Sequence, residues 1–300
     1  MSQLKVFLAL MKISCEGRVL INLNDFRKNI YHNYGISECP HYSEDGVIEK
    51  IFTEIDLEGK SFIVEFGETR SLGTTTRAFR IGYLSRAMYF VGSIDLYSKI
   101  LNILDVLKTT LLTKNIKYLK FLMNMPFMFF VKPENIVDLF DKILAMERIN
   151  RNNIDILTID IDSYDYYIVK ELLEHEYKPR LFIVEYNPNL PLDQALSYPN
   201  AEALSLSNNR KVYGASYLAM NNLMERFGYN LVHISGFCNL FYIRNEYSGV
   251  FTKPDINKER PVSKKAVIEF VDLYCQKGFR PSWLDEPELN EEELKLFDKV

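Results

Sequence analysis

Three aspartates in one short stretch are the residues whose types and spacing most plainly suggest chemistry. They are Asp160, Asp162 and Asp165. All three follow the apolar run Ile156–Ile159, which is too short for a helix and β-branched enough for a buried parallel strand. A helical pattern of apolar side chains then begins at Tyr166. The acids therefore lie where a parallel strand gives way to a helix, and in open α/β sheets ligands bind at that carboxyl edge.

The aspartates differ in how readily a structural role explains them. For Asp165 a structural role, as a helix N-cap or a first-turn acid that faces the helix macrodipole, is as good an interpretation as a chemical one. Asp160 and Asp162 place like charges two residues apart, and such charges repel unless a cation or hydrogen-bond donors hold them. The structural alternative for this pair is that both only accept backbone N–H bonds at the strand-to-helix turn. Asp155, near the start of the strand, is predicted to be a solvated turn residue.

A neighbouring strand, Leu181–Tyr186, is predicted to bring Glu185 and Asn187 to the same edge. A metal bridging Asp160, Asp162 and Glu185 could hold an acceptor hydroxyl and lower its pKa. Carboxylate oxygens would suit Mg²⁺, Mn²⁺ or Ca²⁺. Without a metal, so negative a pocket should raise the pKa of one carboxylate enough to keep a proton, and either aspartate could act as the catalytic base.

The composition of the 300 residues is that of an ordinary soluble globular chain, with 47% hydrophobic and 25% charged residues. A net charge of −4 gives no support to a nucleic-acid binder, which would need a basic face. The four cysteines form no CxxC pair and no disulfide framework, so we expect reduced thiols in a cytoplasmic protein. No stretch approaches a membrane span, and the apolar run Val6–Met11 is too short for a signal sequence.

The elements that must position the acids alternate between strands and helices, which predicts an α/β fold. The predicted strands are Ser61–Phe66, Met88–Gly92, one near Phe121–Val131, Ile156–Ile159, Leu181–Tyr186, Asn230–Ile234 and Leu240–Arg244. The predicted helices include Val47–Phe52, Thr75–Leu84, Leu96–Lys108, Pro133–Met146 and Ala215–Phe227. A short turn with Gly236 joins the last two strands, which predicts an antiparallel hairpin. The expected fold is a doubly wound, mostly parallel seven-stranded sheet closed by that hairpin.

Three regions are predicted along the chain: an N-terminal extension over 1–40, the α/β domain over 41–246 and a C-terminal helical extension over 247–300. The last region is expected to contain a helix over Ser263–Gln276 and a short final helix that starts with a capping box of Asn290 and Glu293. Packing on its own domain is the simplest role for this extension. A homodimer contact or a lid over an acceptor is the alternative.

Seven short motifs follow one another along the α/β domain. They are VEFG (64–67), PENI (133–136), DILTIDIDSYDYY (155–167), KPRLFIVEYNPNLP (178–191), YGAS (213–216), GYNLV (228–232) and NLFYIR (239–244). In order and spacing they resemble the bacterial FkbM-like family of S-adenosylmethionine-dependent methyltransferases. The resemblance implies a Rossmann-like class I methyltransferase fold and methylation of a sugar or other small hydroxyl, in polysaccharide modification or a natural-product pathway. The acceptor would be a small molecule or a glycan.

The same resemblance implies where the cofactor S-adenosylmethionine would bind. Glu65, Gly67 and Arg70 would contact it, and Asp95 would take its ribose hydroxyls in place of the usual acid. The loop after the first strand departs from the family, since Arg70 and Ser71 stand where relatives tend to have Asp-Gly. Arg70 could pair with the carboxylate of the methionine moiety, but it would repel the sulfonium.

Two other classes of function stay open. Asp160-Ile161-Asp162 is also the DxD pattern with which many glycosyltransferases hold a metal and a nucleotide-sugar. The altered loop after the first strand would also suit a non-catalytic, methyltransferase-like binding scaffold. His233, in the predicted hairpin, could reach the pocket, but a single histidine in a strand is more typical of a structural residue. Asn239 is more typical of turn chemistry than of ligand contact.

Overall fold

A computed structural model describes residues 44–55, 61–67, 75–76, 85–92, 94, 96–114, 116–123, 126–199, 212–235, 238–258 and 289–300. Most of the helix predicted over Thr75–Leu84 and all of the one over Ser263–Gln276 lie outside these residues. The chain divides into two compact units, residues 1–130 and 131–300.

The described strands are β1 (Phe62–Phe66), β2 (Arg86–Val91), β3 (Phe127–Met128), β4 (Ile156–Ile159), β5 (Leu181–Glu185), β6 (Leu196–Ser197), β7 (Tyr229–Ser235), β8 (Asn239–Arg244) and β9 (Asp298–Lys299). Seven of these form one mostly parallel sheet in the order β3-β2-β1-β4-β5-β8-β7. Strand β8 runs antiparallel to both of its neighbours, β5 and β7. The predicted fold class, a mostly parallel seven-stranded α/β sheet with a terminal antiparallel hairpin, is therefore confirmed.

The described helices begin close to their predicted starts. They are α1 (Glu44–Glu54), α2 (Leu96–Thr113), α3 (Pro133–Glu147), α4 (Asp165–Glu174), α5 (Tyr217–Arg226) and α6 (Glu291–Leu294), with 3₁₀ turns at Ile116–Met123, Arg151–Asn153 and Asn245–Val250. Ser216 caps α5, because its hydroxyl accepts the N–H of Ala219. Gly228, at φ 84°, follows the end of the same helix, as predicted. None of these helices is long and apolar enough to cross a bilayer.

In the first unit, β1 is buried along its whole length and pairs in parallel with β2. The rings of Phe66 and Phe90 stack across this pair at 4.9 Å. Strand β3 is only two residues long and pairs Phe127 with Phe90. Pro126, which has no N–H to give to a ladder, directly precedes it, and this explains why the apolar stretch around it yields so short a strand.

In the second unit, β4 and β5 are parallel and in register, with Ile156 opposite Leu181 and Ile159 opposite Val184. Every residue of β4 is buried, which is why its sequence is a continuous apolar run and does not alternate. The hairpin of β7 and β8 completes the sheet of this unit on the far side of β5, with an irregularity in register between Leu231 and His233.

The end of the chain packs against the loop that follows β5. Strand β9 pairs antiparallel with β6, and the ring of Phe297 lies 5.9 Å from that of Tyr198. A small apolar core forms there from Leu190, Leu196, Tyr198, Val212, Leu289 and Phe297. Asn290 and Glu293 form the predicted capping box of α6. Residues 289–300 thus pack within their own unit, as the simplest interpretation of the extension requires.

Candidate functional site

Three carboxylates converge in the described part of the second unit, at the carboxyl ends of β4 and β5. One oxygen from each of Asp160, Asp162 and Glu185 lies within 4.8 Å of the others. The register that places Ile159 opposite Val184 brings the next residue of each strand to this edge. The Asp160 and Glu185 side chains are half-buried, whereas Asp162 is exposed. The structure thus brings together the three acids that the sequence grouped, and we call them the acid cluster.

A fourth acid, Asp165, holds the loop that carries the two aspartates of the cluster. It is completely buried in the first turn of α4. Its Oδ1 atom accepts the N–H of Ile161 and its Oδ2 atom accepts the N–H of Ser163, both at 2.9 Å. Asp162, between these two donors, has φ 54°, a left-handed conformation that aspartate tolerates better than most residues. Asp165 therefore takes the structural role, although its hydrogen bonds fix the preceding loop and do not cap the helix.

The electrostatics of the acid cluster favour retention of a proton. Burial raises the pKa of Glu185 well above its ordinary value, and the negative charges of Asp160 and Asp162 raise it further. Although part of the Asp162 side chain is exposed, desolvation of its carboxylate beside the other acids raises its pKa, and a hydrogen bond shared with Glu185 opposes that rise. Glu185 is therefore the member of the cluster whose protonated form is most favoured, and in that form it can donate a hydrogen bond to Asp162. The pKa of the neighbouring Asp165 is raised by burial to about 6.

The donor set of the cluster fits a hard divalent cation. The Oε2 atom of Glu185 is buried and has no hydrogen-bond partner among the residues that the structure describes. A cation held by Asp160, Asp162 and Glu185 would satisfy that oxygen, since carboxylates are the ligands that Mg²⁺, Mn²⁺ and Ca²⁺ prefer. Cation binding would also replace the proton of Glu185.

Asn187, which the sequence predicted to lie at the same edge as the acids, has a structural role. Its side-chain amide donates to the carbonyl of Tyr213 at 3.0 Å, and its amide oxygen accepts the N–H of Asn189 at 2.9 Å. Its own N–H donates to the carbonyl of Ala215 at 2.7 Å. The buried Asn187 therefore ties the loop after β5 to the YGAS segment, so that it positions the site and does not complete the acid cluster.

Two further residues lie beside the cluster: Asn239, which the sequence assigned to turn chemistry in preference to ligand contact, and Tyr213, which the interpretation of the sequence missed. Asn239, the first residue of β8, is buried and lies opposite Glu185 in the β5–β8 ladder. Tyr213 is buried, and its pKa is raised by burial and by the negative charges of Glu185, Cys238 and the cluster aspartates. Tyr213 belongs to a motif that carried the resemblance, and that motif was the only signal in the sequence that could have singled it out.

One prediction about the acids is wrong. Asp155 is not a solvated turn residue, because it is buried and forms an ion pair with Nη1 of Arg180. The two residues meet because they lie at the starts of the adjacent strands β4 and β5, where the N–H of Leu181 also donates to the carbonyl of Asp155. His233 packs edge-on against Phe241 with ring centroids 5.6 Å apart, which agrees with a structural role.

The residues predicted to bind a cofactor belong to the first unit. Glu65 is buried, and its two oxygens accept the N–H of Thr75 at 3.2 Å and the hydroxyl of Thr76 at 2.7 Å. The hydroxyl of Thr75 also donates to Glu44 at 2.9 Å. Glu65 thus holds in place the two residues of the following segment that are described. Whether it also contacts a cofactor stays a prediction.

Gly67 follows β1 and has φ 90°, a backbone conformation that glycine adopts far more readily than other residues. Its N–H donates to the carbonyl of Phe90 at 2.9 Å, so the end of β1 is held against β2. Arg70 and Asp95, the other two predicted cofactor ligands, lie outside the described residues.

The comparison of this chain with known proteins does not assign it to a family. No protein-family model matches the sequence, and no curated protein matches it. The geometry of the acid cluster and the order of the strands therefore carry the functional inference.

Proposed function

We propose that the protein is an S-adenosylmethionine-dependent methyltransferase that methylates a hydroxyl group of a sugar or of another small acceptor. The acid cluster at the carboxyl ends of β4 and β5, in a sheet closed by the reversed strand β8, carries this proposal. A terminal hairpin of that kind distinguishes the class I methyltransferase fold among doubly wound folds, and the FkbM-like motifs run through the same elements.

Methyl transfer to a hydroxyl requires the protein to align the acceptor oxygen with the methyl group and to remove one proton from the acceptor. The acceptor oxygen forms a bond to the methyl carbon while the bond from that carbon to sulfur breaks. The products are a methyl ether, S-adenosylhomocysteine and the proton of the acceptor. Asp160 or Asp162 would accept that proton, because the raised pKa of Glu185 favours its protonated form, hydrogen-bonded to Asp162.

A divalent cation would be held in the same place by Asp160, Asp162 and Glu185. When bound, such an ion supplies Lewis acidity that lowers the pKa of a coordinated hydroxyl. Asp165 has the same task with or without the ion, since it fixes the loop from which Asp160 and Asp162 project. Tyr213 and Asn187 would limit access of water from the side of the YGAS segment, as both are buried.

The cofactor would be bound by the segment that follows β1. Gly67, without a side chain and with a positive φ, would allow close approach of the adenosyl moiety to the backbone. Glu65 would act by holding Thr75 and Thr76. Arg70 at the methionine carboxylate and Asp95 at the ribose complete this part of the proposal.

Ligand-induced thermal shifts test the proposal and separate it from its two alternatives. The protein is heated with S-adenosylmethionine, with S-adenosylhomocysteine, or with a nucleotide-sugar, all at the same Mn²⁺ concentration, and each shift is measured against Mn²⁺ alone. A ligand at about 100 times its dissociation constant adds about 2.7 kcal/mol, so the melting temperature should rise with the two adenosyl compounds only. A rise with the nucleotide-sugar alone would favour a DxD glycosyltransferase, and no rise with any of the three would favour a non-catalytic scaffold.

A further inference from the structure

Helix α2, in the first unit, turns an apolar face outward. Each side chain of this face leaves between 38% and 75% of its surface exposed. The face consists of Leu96, Tyr97, Ile100, Ile103, Leu104, Leu107 and Leu111, and we call it the α2 stripe. The buried side of the same helix contains the polar Asn102 as well as Val106. A surface helix ordinarily turns its apolar side to the core, so the arrangement in α2 is inverted.

The α2 stripe is continuous and large. At 100° per residue its members fall within about one third of the helix circumference, and Leu96 to Leu111 spans about 22 Å along the axis. The exposed fractions amount to apolar surface on the order of 700 Å², which exceeds the roughly 300–600 Å² of the largest patch on a typical monomer. A patch of this size marks an interaction surface.

The segment that carries the α2 stripe, together with the 3₁₀ turn after it, has a positive net charge. Residues 96–123 contain five lysines and one aspartate, which gives +4 in a chain whose net charge is −4. The lysines are Lys99, Lys108, Lys114, Lys117 and Lys120, and all five are exposed. By helical geometry Lys108 lies beyond one edge of the stripe and Lys99 beyond the other. An apolar stripe with lysines on both sides suits a partner that is both apolar and anionic.

We propose that the α2 stripe and its lysines bind the surface of an anionic lipid bilayer. Leucine and aromatic side chains would enter the boundary between headgroups and acyl chains, and the lysines would contact lipid phosphates. The helix would lie in the membrane surface and would not cross it, in keeping with its composition. A second copy of the chain is a poorer partner, because it would bring five more lysines and one more acid to the same place. This inference goes beyond the proposed function and does not depend on it.

Co-sedimentation with vesicles tests the proposal on the full chain. Vesicles of phosphatidylcholine alone are compared with vesicles that contain about 30% phosphatidylglycerol, at about 0.1 M and about 0.5 M NaCl. We expect the protein to pellet with the anionic vesicles at low salt, and its partition coefficient to fall at least about tenfold at high salt or without phosphatidylglycerol. Equal pelleting with neutral vesicles, or none with either kind, would overturn the proposal.

Two double variants locate the contact. Leu104→Glu with Leu111→Glu changes the α2 stripe, and Lys108→Glu with Lys114→Glu changes its basic margin. Each should lower the partition coefficient on anionic vesicles at least about tenfold. Lys142→Glu with Lys178→Glu, at exposed lysines of the second unit, is the charge-matched control and should bind as the wild type does. Equal loss in this control would show that only net charge matters and would contradict the proposal.

Two further readouts make each outcome decisive. Circular dichroism and the melting temperature establish that the variants fold. If Leu104→Glu with Leu111→Glu unfolds the protein, the proposal is tested by Lys108→Glu with Lys114→Glu alone. Sedimentation equilibrium measures self-association. A dimer that Leu104→Glu with Leu111→Glu dissociates, in a protein that binds no vesicles, would assign the stripe to a second copy and would overturn the lipid proposal.

Discussion

The Oδ1 atom of Asp165 accepts the main-chain N–H of Ile161 at 2.9 Å. Through this bond and its partner to Ser163, one buried carboxylate fixes the backbone on both sides of Asp162. Asp162 keeps a left-handed conformation there, at φ 54°. Residues held in sparsely populated conformations tend to lie at functional sites, and here the support for that conformation comes from Asp165.

The first prediction concerns Asp165→Asn. The amide offers one acceptor oxygen, so that its NH₂ group would face one of the two backbone donors. We expect the free energy of unfolding to fall by about 1–3 kcal/mol, the usual cost of leaving a buried donor unsatisfied. Urea denaturation at about pH 4, below the pKa of Asp165, measures this, with the exposed Asp193→Asn as the matched control. A variant as stable as that control would show that the two hydrogen bonds do not hold the loop.

The second prediction is a pH dependence of stability that belongs to Asp165. Its pKa is about 6 in the folded protein and 3.8 ordinarily, so folding favours the protonated acid. The resulting stabilisation is fully present below about pH 3.8 and is lost as the pH rises through about 6, with a size of about 3 kcal/mol. The unfolding free energy of the wild type minus that of Asp165→Asn should therefore decrease between pH 4 and pH 7. A difference that is flat or grows with pH contradicts this assignment.

The parts of the fold that the sequence predicted are those set by local patterns. Strand β4 has the predicted bounds, because a short apolar run between polar residues suits a strand buried on both faces. The hairpin of β7 and β8 and the capping box of Asn290 and Glu293 are likewise encoded within a few residues. The acid cluster could be predicted because adjacent parallel strands bring their carboxyl ends to one edge.

What could not be predicted depends on contacts between distant residues or on the path of a loop. The hydrogen bond from Asn187 to the carbonyl of Tyr213 joins residues 26 apart in the sequence, and no local pattern predicts it. The role of Asp165 depends on the backbone path of Ile161 and Ser163, which no spacing rule supplies. Asp155 was misjudged because its partner Arg180 belongs to the next strand and not to its own turn.

The third prediction is that a divalent cation competes with the proton of Glu185. Because the pKa of Glu185 is raised, its proton must leave before the ion binds, so the affinity for Mn²⁺ should increase as the pH rises from about 5 to about 8. Glu185→Gln should weaken binding at least about tenfold and reduce its pH dependence. Isothermal titration of the wild type, of Glu185→Gln and of the exposed control Glu174→Gln measures both effects. Equal affinity in the two variants would exclude Glu185 as a ligand.

The fourth prediction concerns the ion pair between Asp155 and Arg180. Arg180→Met leaves a buried carboxylate without its partner, and we expect it to lower the free energy of unfolding by about 1.5–3 kcal/mol. Lys253→Met, which breaks the exposed pair with Glu225, is the control and should cost less than about 1 kcal/mol. Both changes are measured by urea denaturation. If Arg180→Met costs no more than the control, the pair does not stabilise the start of β4.

Methyl transfer tests the role of the acid cluster most directly. Transfer of a labelled methyl group from S-adenosylmethionine to a panel of sugars and other small hydroxyl compounds is measured with the wild type, Asp160→Asn, Asp162→Asn and the control Asp193→Asn. We predict transfer by the wild type and by the control, and turnover reduced at least about 100-fold in the variant that lacks the base, Asp160→Asn or Asp162→Asn, the order of a general acid–base contribution. Affinity for S-adenosylhomocysteine should be unchanged in all four proteins. If Asp160→Asn and Asp162→Asn both transfer the label at the wild-type rate, the assignment of this cluster to the acceptor is contradicted.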